Sequence, residues 1–413
     1  MRPWQLIATI VITATLAAGF GWHPLSIVAY VLTGALLFAL LWRAIGLRGL
    51  VFRRTAPGGH AQVGERVEEE LILENHSRLP KLWVQVLDSS TLPGHHAGYV
   101  TSIGPRERVT WRVKTICQRR GRYSLGPVTA ISGDPLGLFK QVTVLAQTLN
   151  LLVLPKVLPL TNLALYPGGQ PGRGRGSRRS PETTTNVVTV RSYVPGDPLA
   201  RIHWPSTART SQFMVKEFDL DPTVDVMMVL DLDSAVQAGK GLESTEETGV
   251  TIAASIMSYL LASKDIAVGL LVSGSGEAAL PLDRGARQLD RGLEVLAMSH
   301  PEQEVPLTQA LTEIEASLQR NTVLFVITPS LSHDWAGSLA LLQRRGVKPA
   351  VFLLDPESFV LSQAGAAQVA EQLVESDIVV HVIRHNDDLR AALEHAGAET
   401  MEPRSGAGME ASA

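Results

Sequence analysis

Three groups of side chains in this 413-residue chain have types and spacings that chemistry could use. Asp231 and Asp233, followed by Ser234, close the apolar run from Val224 to Leu232. Acids clustered there could hold Mg²⁺, because hard cations take carboxylate and hydroxyl oxygens. Asp197, His203 and Ser206 are the residue types of a nucleophilic triad. Yet all three lie in one short segment, no Gly-x-Ser-x-Gly elbow precedes a helix, and Gly274-Ser275-Gly276 reads as a turn. His-Glu-x-x-His, paired-cysteine and dinucleotide-glycine patterns are missing too, so no catalytic residue is predicted. The third group is Arg191, Tyr193, Gly196, Asp197, Arg201, Trp204, Arg209 and Glu217. Here Pro195-Gly196-Asp197 forms a turn, and the guanidinium forks of Arg201 and Arg209 predict ion pairs with Asp197 and Glu217. Trp204 is an amphipathic anchor. The segment either locks against a sheet or presents a docking surface for a partner.

Two further features read as structural. His95-His96 has no third metal ligand spaced nearby and predicts an ordinary loop. Cys117 is the one cysteine, which excludes an intramolecular disulfide. It falls on the inner face of an alternating strand, Val109 to Cys117, as a small buried hydrophobe.

The elements that position these residues follow from patterning. Trp4 to Phe20 and Pro24 to Trp42 contain no charged side chain. At about 1.5 Å per residue they span roughly 26 and 28 Å, close to a bilayer core of about 30 Å. With only Gly21-Trp22-His23 between them, residues 1–45 predict a transmembrane helical hairpin. Arg2 precedes it and Arg43, Arg48, Arg53 and Arg54 follow, so the positive-inside rule puts both ends in the cytoplasm. That predicts a multi-pass protein of the inner (plasma) membrane with cytoplasmic soluble domains. A cleaved signal peptide plus one anchor, or a buried soluble hairpin, are the rival readings.

Residues 58–155 change to short alternating strands separated by turn residues, predicting an immunoglobulin-like β-sandwich. Residues 167–181 form a Gly/Arg-rich linker whose Arg173, Arg175, Arg178 and Arg179 could meet anionic lipid or an acidic partner. From 182 to 400, buried strands alternate with helices, predicting an α/β doubly wound domain with a mainly parallel sheet. Ligands in such sheets sit beyond the carboxyl ends of strands. Residues 401–413 predict a disordered tail. The whole is multidomain. Its 37 Lys and Arg against 40 Asp and Glu give a net charge of −3, with no global pull toward nucleic acid.

Two resemblances add to this. The acids after the Val224–Leu232 run resemble a von Willebrand factor A-type metal site, which reads Asp-x-Ser-x-Ser, then a Thr, then an Asp. Asp231 matches the first position and Thr308 the Thr; Asp233 and Ala235 replace the serines, and Pro329 stands where the Asp is expected. The resemblance therefore implies an A-type scaffold whose site, Asp231, Asp233, Ser234 and Thr308, is degenerate. Secondly, Arg191-x-Tyr193, Gly196-Asp197, Arg201-Ile202-x-Trp204, Ala208-Arg209 and Glu217 resemble the signature of the bacterial domain of unknown function 58 family. Arg119-Arg120-Gly121-Arg122-Tyr123 and Asp134-Pro135-Leu136-Gly137-Leu138-Phe139 resemble its β domain. That resemblance implies company with a MoxR-type AAA+ ATPase and with transglutaminase-like membrane proteins. The expectation is a non-catalytic membrane scaffold without a cofactor. The alternatives are a metal-dependent ligand-binding A domain and, last, a hydrolase centred on His203.

Overall fold

In a computed structural model, residues 3–55, 58–163, 187–194, 202–218, 225–263, 265–276, 278–360 and 365–394 are described. For 187–189, 191, 216–218 and 278 this covers the backbone alone. The Gly/Arg-rich linker at 167–181, the tail at 401–413, and Gly196, Asp197 and Arg201 lie outside the described residues. The chain divides into two compact units, the first Met1–Lys156 together with Leu293–Met298 at the end of a later helix, the second the rest.

The first unit opens with α1 (Pro3–Phe20) and α2 (His23–Ile45), turned by Gly21 at φ +64°. Both are long and apolar enough to cross a membrane by length and composition, and only 6% and 11% of their apolar windows are buried. A soluble helix buries one apolar stripe; these helices leave Phe20, Tyr30 and Leu41 exposed.

Ten strands follow: β1 (Leu50–Thr55), β2 (His60–Gln62), β3 (Arg66–Asn75), β4 (Lys81–Asp88), β5 (Tyr99–Ile103), β6 (Arg108–Ile116), β7 (Gly121–Leu125), β8 (Val128–Gly133), β9 (Lys140–Ala146) and β10 (Leu149–Leu154). They form three sheets, β1-β3-β6, β5-β4-β8-β9 and β2-β10-β7. The alternation that marked these strands in sequence is the alternation of burial. In β3, Val67, Leu71 and Leu73 point inward, and they meet Val84 and Val86 of β4 or Leu151 and Val153 of β10. Cys117 lies fully buried in the second of these cores, and burial, with Glu65 beside it, pushes its thiol up.

No slack separates α2 from β1. Gly46 and Leu47 are buried. The Lys81 ammonium donates to the Ile45 carbonyl at 2.7 Å, satisfying one of the carbonyls that a helix end leaves orphaned. Burial lowers the Lys81 pKa. Arg43, in the last turn of α2, lies over the Phe139 ring at 5.6 Å from its centroid.

The second unit holds a hairpin and a large sheet. Strands β11 (Val187–Ser192) and β12 (Met214–Phe218) pair antiparallel, with α3 (Trp204–Thr210) between them in the chain. Next come β13 (Asp225–Asp231), the two-residue strands β14 (Gly239–Lys240) and β15 (Glu243–Ser244), α4 (Thr245–Leu261), β16 (Ala267–Ser273), β17 (Ala278–Asp283), α5 (Ala286–Met298) and α6 (Leu307–Glu315). Then β18 (Val323–Thr328), α7 (Asp334–Arg344), β19 (Lys348–Leu354), α8 (Ala366–Glu375), β20 (Val379–Ile383) and α9 (Leu389–Glu394) complete the unit.

The sheet order is β17-β16-β13-β18-β19-β20. The strand that comes first in the chain, β13, is central; winding proceeds one way to β16 and β17, then reverses to β18 and beyond. All neighbours are parallel except β17, which pairs antiparallel with β16 at the edge. The near-continuous apolar runs of β13, β18 and β19 follow from helices on both faces. Val229, Val326 and Val351 pack toward Trp335, Leu339 and Leu373. On the other face Leu230, Ile327 and Leu354 close around Gly249 of α4, whose lack of a side chain permits the approach. Ser244 caps α4 by accepting from the Glu247 N–H at 3.2 Å.

Candidate functional site

The reversal of winding lies between β13 and β18, so the residues ending those strands occupy the place where doubly wound sheets hold ligands. β13 ends in Asp231 and β18 in Thr328, both buried. The Thr328 hydroxyl donates to Asp231 Oδ2 at 2.6 Å and accepts from the Ser330 N–H at 2.9 Å. The Asp233 N–H donates to Asp231 Oδ1 at 3.0 Å. Burial pushes the Asp231 carboxyl up to about 6, against the pull of the Thr328 and Asp233 hydrogen bonds. Asp233, also buried, accepts from the Ala235 N–H, and Gln237 Nε2 donates to the Asp231 carbonyl. Gly274, just past β16, permits a close approach to this strand end: its φ is +80°, and a Cβ there would fall 2.3 Å from the Leu232 carbonyl oxygen.

Of the expected A-type positions, Asp231 and Asp233 are brought together at one strand end. Ser234 is exposed and Thr308 is half-buried in the first turn of α6. The hydroxyl on the Asp231 carboxylate comes from Thr328, not from Thr308. Among the described residues, no three His, Cys, Asp or Glu side chains converge as metal ligands. What the arrangement does chemically is hold a proton-accepting carboxylate in a dry setting with each oxygen on an internal donor.

The Arg/Tyr/Trp segment is partly described. Arg191 sits on β11 and Glu217 on β12, where Thr189 pairs with Glu217 and Arg191 with Val215. Their side chains, like Gly196, Asp197 and Arg201, are not described, so the expected ion-pair network is untraced. Ile202 bridges to Val215 and both are buried. The Tyr193 ring meets Phe213 edge-on, centroids 6.1 Å apart, and the Tyr193 N–H donates to the Phe213 carbonyl. Trp204 is 63% exposed, Phe213 55% and Val194 56%, while Arg209 also faces out.

The His203–Ser206 pair has a structural account. His203 is the N-cap of α3: its Nδ1 accepts from the Ser206 N–H at 3.3 Å and lies 2.7 Å from the Ser206 hydroxyl. This satisfies an orphan donor of the first turn. Asp197, the remaining member of the candidate triad, is outside the described residues.

Sequence reasoning missed a charged cluster in the β-rich unit. His95, expected in an ordinary loop, is buried. Its Nδ1 is 3.0 Å from the Thr115 hydroxyl and its Nε2 3.2 Å from Asp88 Oδ2. Arg54 pairs with that same Asp88 oxygen and with Glu69 Oε2 at 3.1 Å. Burial raises the Asp88 pKa, but hydrogen bonds from His95 and Ser90 and the Arg54 charge outweigh it, leaving Asp88 below its ordinary value. Burial keeps Glu69 above its own, despite Arg54 and His95. The one signal in the sequence was Glu69 itself, an acid at an inward position of an alternating strand.

Fold and site together define a class of protein: two apolar N-terminal helices, a β-rich unit and a doubly wound α/β unit with hydrogen-bonded acids at its switch point. Residues 189–402 match the family described as "Protein of unknown function DUF58". The match takes in just over half of the chain, which belongs to this family. Relatives carry no assigned activity. Uncharacterized protein YeaD of Bacillus subtilis (strain 168) is 26% identical over 266 residues, 64% of this chain and 64% of that protein. Uncharacterized protein Rv1480 of Mycobacterium tuberculosis (strain ATCC 25618 / H37Rv) is 25% identical over 259 residues, 60% of this chain and 77% of that one. The chain thus spans under two thirds of its Bacillus relative. Among solved structures, the CARDB domain of a Pyrococcus furiosus protein aligns with 25% of this chain and 86% of its own at 15% identity, but its TM-score of 0.20 carries no argument.

Proposed function

We propose that this protein is a non-catalytic scaffold anchored in the inner membrane by α1 and α2, with both soluble units in the cytoplasm. In this reading the β-rich unit is an immunoglobulin-like sandwich. The α/β unit is a von Willebrand factor A-type domain that kept its scaffold and turned its metal-site acids to internal hydrogen bonding. Its partner is a MoxR-type AAA+ ATPase, working beside a transglutaminase-like membrane protein. The observation that carries the reading is the exposure of Trp204, Phe213 and Val194 on the signature segment, where His203 and Ser206 are engaged as a helix cap. Aromatics are enriched among the residues that anchor interfaces, and truncating an exposed side chain such as Trp204 usually changes stability by no more than about 0.5 kcal/mol. The test is a pull-down of the tagged full chain from detergent-solubilised membranes of its own host, against Trp204→Ala. Recovery of an AAA+ ATPase with the parent and its loss with the variant is expected. A parent chain that recovers no ATPase overturns the proposal.

A second reading has one observation in its favour: Asp231 stays buried and acidic at a cost to stability, as groups kept for binding often do. A metal-dependent ligand-binding domain would then release heat with Mg²⁺ in calorimetry. A titration that gives no heat and no melting shift removes this reading.

A further inference from the structure

The turn between β8 and β9, Pro135-Leu136-Gly137-Leu138-Phe139, has no charged or polar side chain. Surface loops are ordinarily polar, because water must satisfy their backbone. Here the buried Asp134 does that work from within: its Oδ2 accepts from the Leu136 N–H at 3.0 Å and its Oδ1 from the Phe139 N–H. The Asp134 carbonyl accepts from Gly137 at 3.0 Å, and Gly137 takes φ +65°. The turn is therefore set without help from solvent. Pro135, Leu136 and Gly137 stand exposed, Leu136 by 50%, and Leu138 and Phe139 are half-buried.

Its place in the unit is equally defined. Phe139 lies under Arg43. Arg43 follows Trp42, the last residue of the uncharged stretch, whose ring packs against Phe38 at 5.7 Å. Tryptophan at a helix end marks the level of the headgroups, and basic residues beside it mark the anionic leaflet. Arg43, Arg48 and Lys140 are all exposed around this level. Lys81, holding the Ile45 carbonyl, fixes the sheet to the helix end from the neighbouring strand.

We infer that this turn is a lipid-contacting finger, which lies in the headgroup–acyl boundary beside α2 and sets the β-rich unit against the bilayer surface. The occupant of the exposed apolar patch is lipid. The patch is continuous with the end of α2, and the exposed charges named beside it, Arg43, Arg48 and Lys140, are all of the sign that anionic headgroups attract, while Asp134 is buried and engaged within the turn. This inference rests on the membrane reading proposed above.

The test separates the two. Cys117 is buried, so a nitroxide can be placed selectively on Leu136→Cys, Lys114→Cys or Leu37→Cys of the full chain. Each is reconstituted in vesicles of phosphatidylcholine and phosphatidylglycerol. Accessibility to oxygen, which concentrates in lipid, is compared with accessibility to a water-soluble nickel chelate. A several-fold higher oxygen-to-nickel ratio at 136 than at 114, approaching that at 37 within α2, is expected. A lipid-like label at 37 with a water-like label at 136 overturns the finger and leaves the anchor standing. Shielding from both reagents at 136 also overturns it, because a protein then covers the turn. A water-like label at 37 overturns both.

Discussion

The Asp231 carboxyl gives a prediction whose size can be worked through. Moving it from 3.8 to about 6 costs the folded, ionised state roughly 3 kcal/mol at neutral pH. Asp231 is only 2% exposed, so little of this is screened away. The sign follows from which state holds the proton more tightly. The folded state does, so the carboxyl's contribution is fully present below about pH 4 and is lost as pH rises through 6. Asp231→Asn is nearly isosteric and never ionises. Its amide group can accept only one of the two hydrogen bonds that the carboxylate now takes from Asp233 and Thr328. The orphaned donor costs about 1 kcal/mol. The net expectation is a gain of about 2 kcal/mol above pH 7 and a loss of about 1 kcal/mol below pH 4. Amide hydrogen exchange of β13 and β18 peptides reads this directly. Comparing variant with parent at matched pH cancels intrinsic exchange chemistry. At pH 7.5 the variant should exchange about 30-fold more slowly, and the ratio should invert in acid. A ratio constant from pH 5 to 7.5, or one favouring the parent at pH 7.5, refutes the reasoning.

Arg54→Met removes the cation between Glu69 and Asp88 and leaves uncompensated charge in the core. It should destabilise the β-rich unit by about 3–5 kcal/mol in denaturant titration followed by circular dichroism, with Arg54→Met/Glu69→Leu recovering part of the loss. Gly274→Ala forces a side chain into positive φ and against the Leu232 carbonyl. A cost of at least about 2 kcal/mol is expected, and residues 231–235 should show the largest rise in exchange. Ser244→Ala deletes the α4 cap and should lower stability by about 1 kcal/mol, with faster exchange confined to the first turn of that helix.

Where one periodicity dominated, the sequence was legible. The runs at Thr322–Ile327 and Pro349–Leu354 became β18 and β19 within a residue or two because both faces of each strand are covered. The apolar helices were equally plain, since nothing but length and lack of charge defines them. β17 was not anticipated: Pro281 interrupts it, and only an edge strand tolerates that. The site was legible by half. Asp231 and Asp233 announced themselves as acids ending an apolar run, but Thr328 lies 97 residues from Asp231 and is joined to it only by the parallel register of β13 with β18. The Arg54 cluster was hidden for the same reason, since β1, β3, β4 and β6 contribute one member each and the loop after β4 contributes His95 and Ser90, and no short pattern records the meeting.

The joint between α2 and β1 has a kinetic consequence. A domain on a flexible leash explores a hemisphere of solution and meets partners by the swing of its tether. This one is clamped at Ile45, Gly46 and Leu47, so on the proposed anchoring it has no such swing. Its orientation is that of the helix pair, and it changes face only as the pair spins and wanders within the plane of the lipid. Encounters then become a search in two dimensions at one fixed height, open to proteins built to that height.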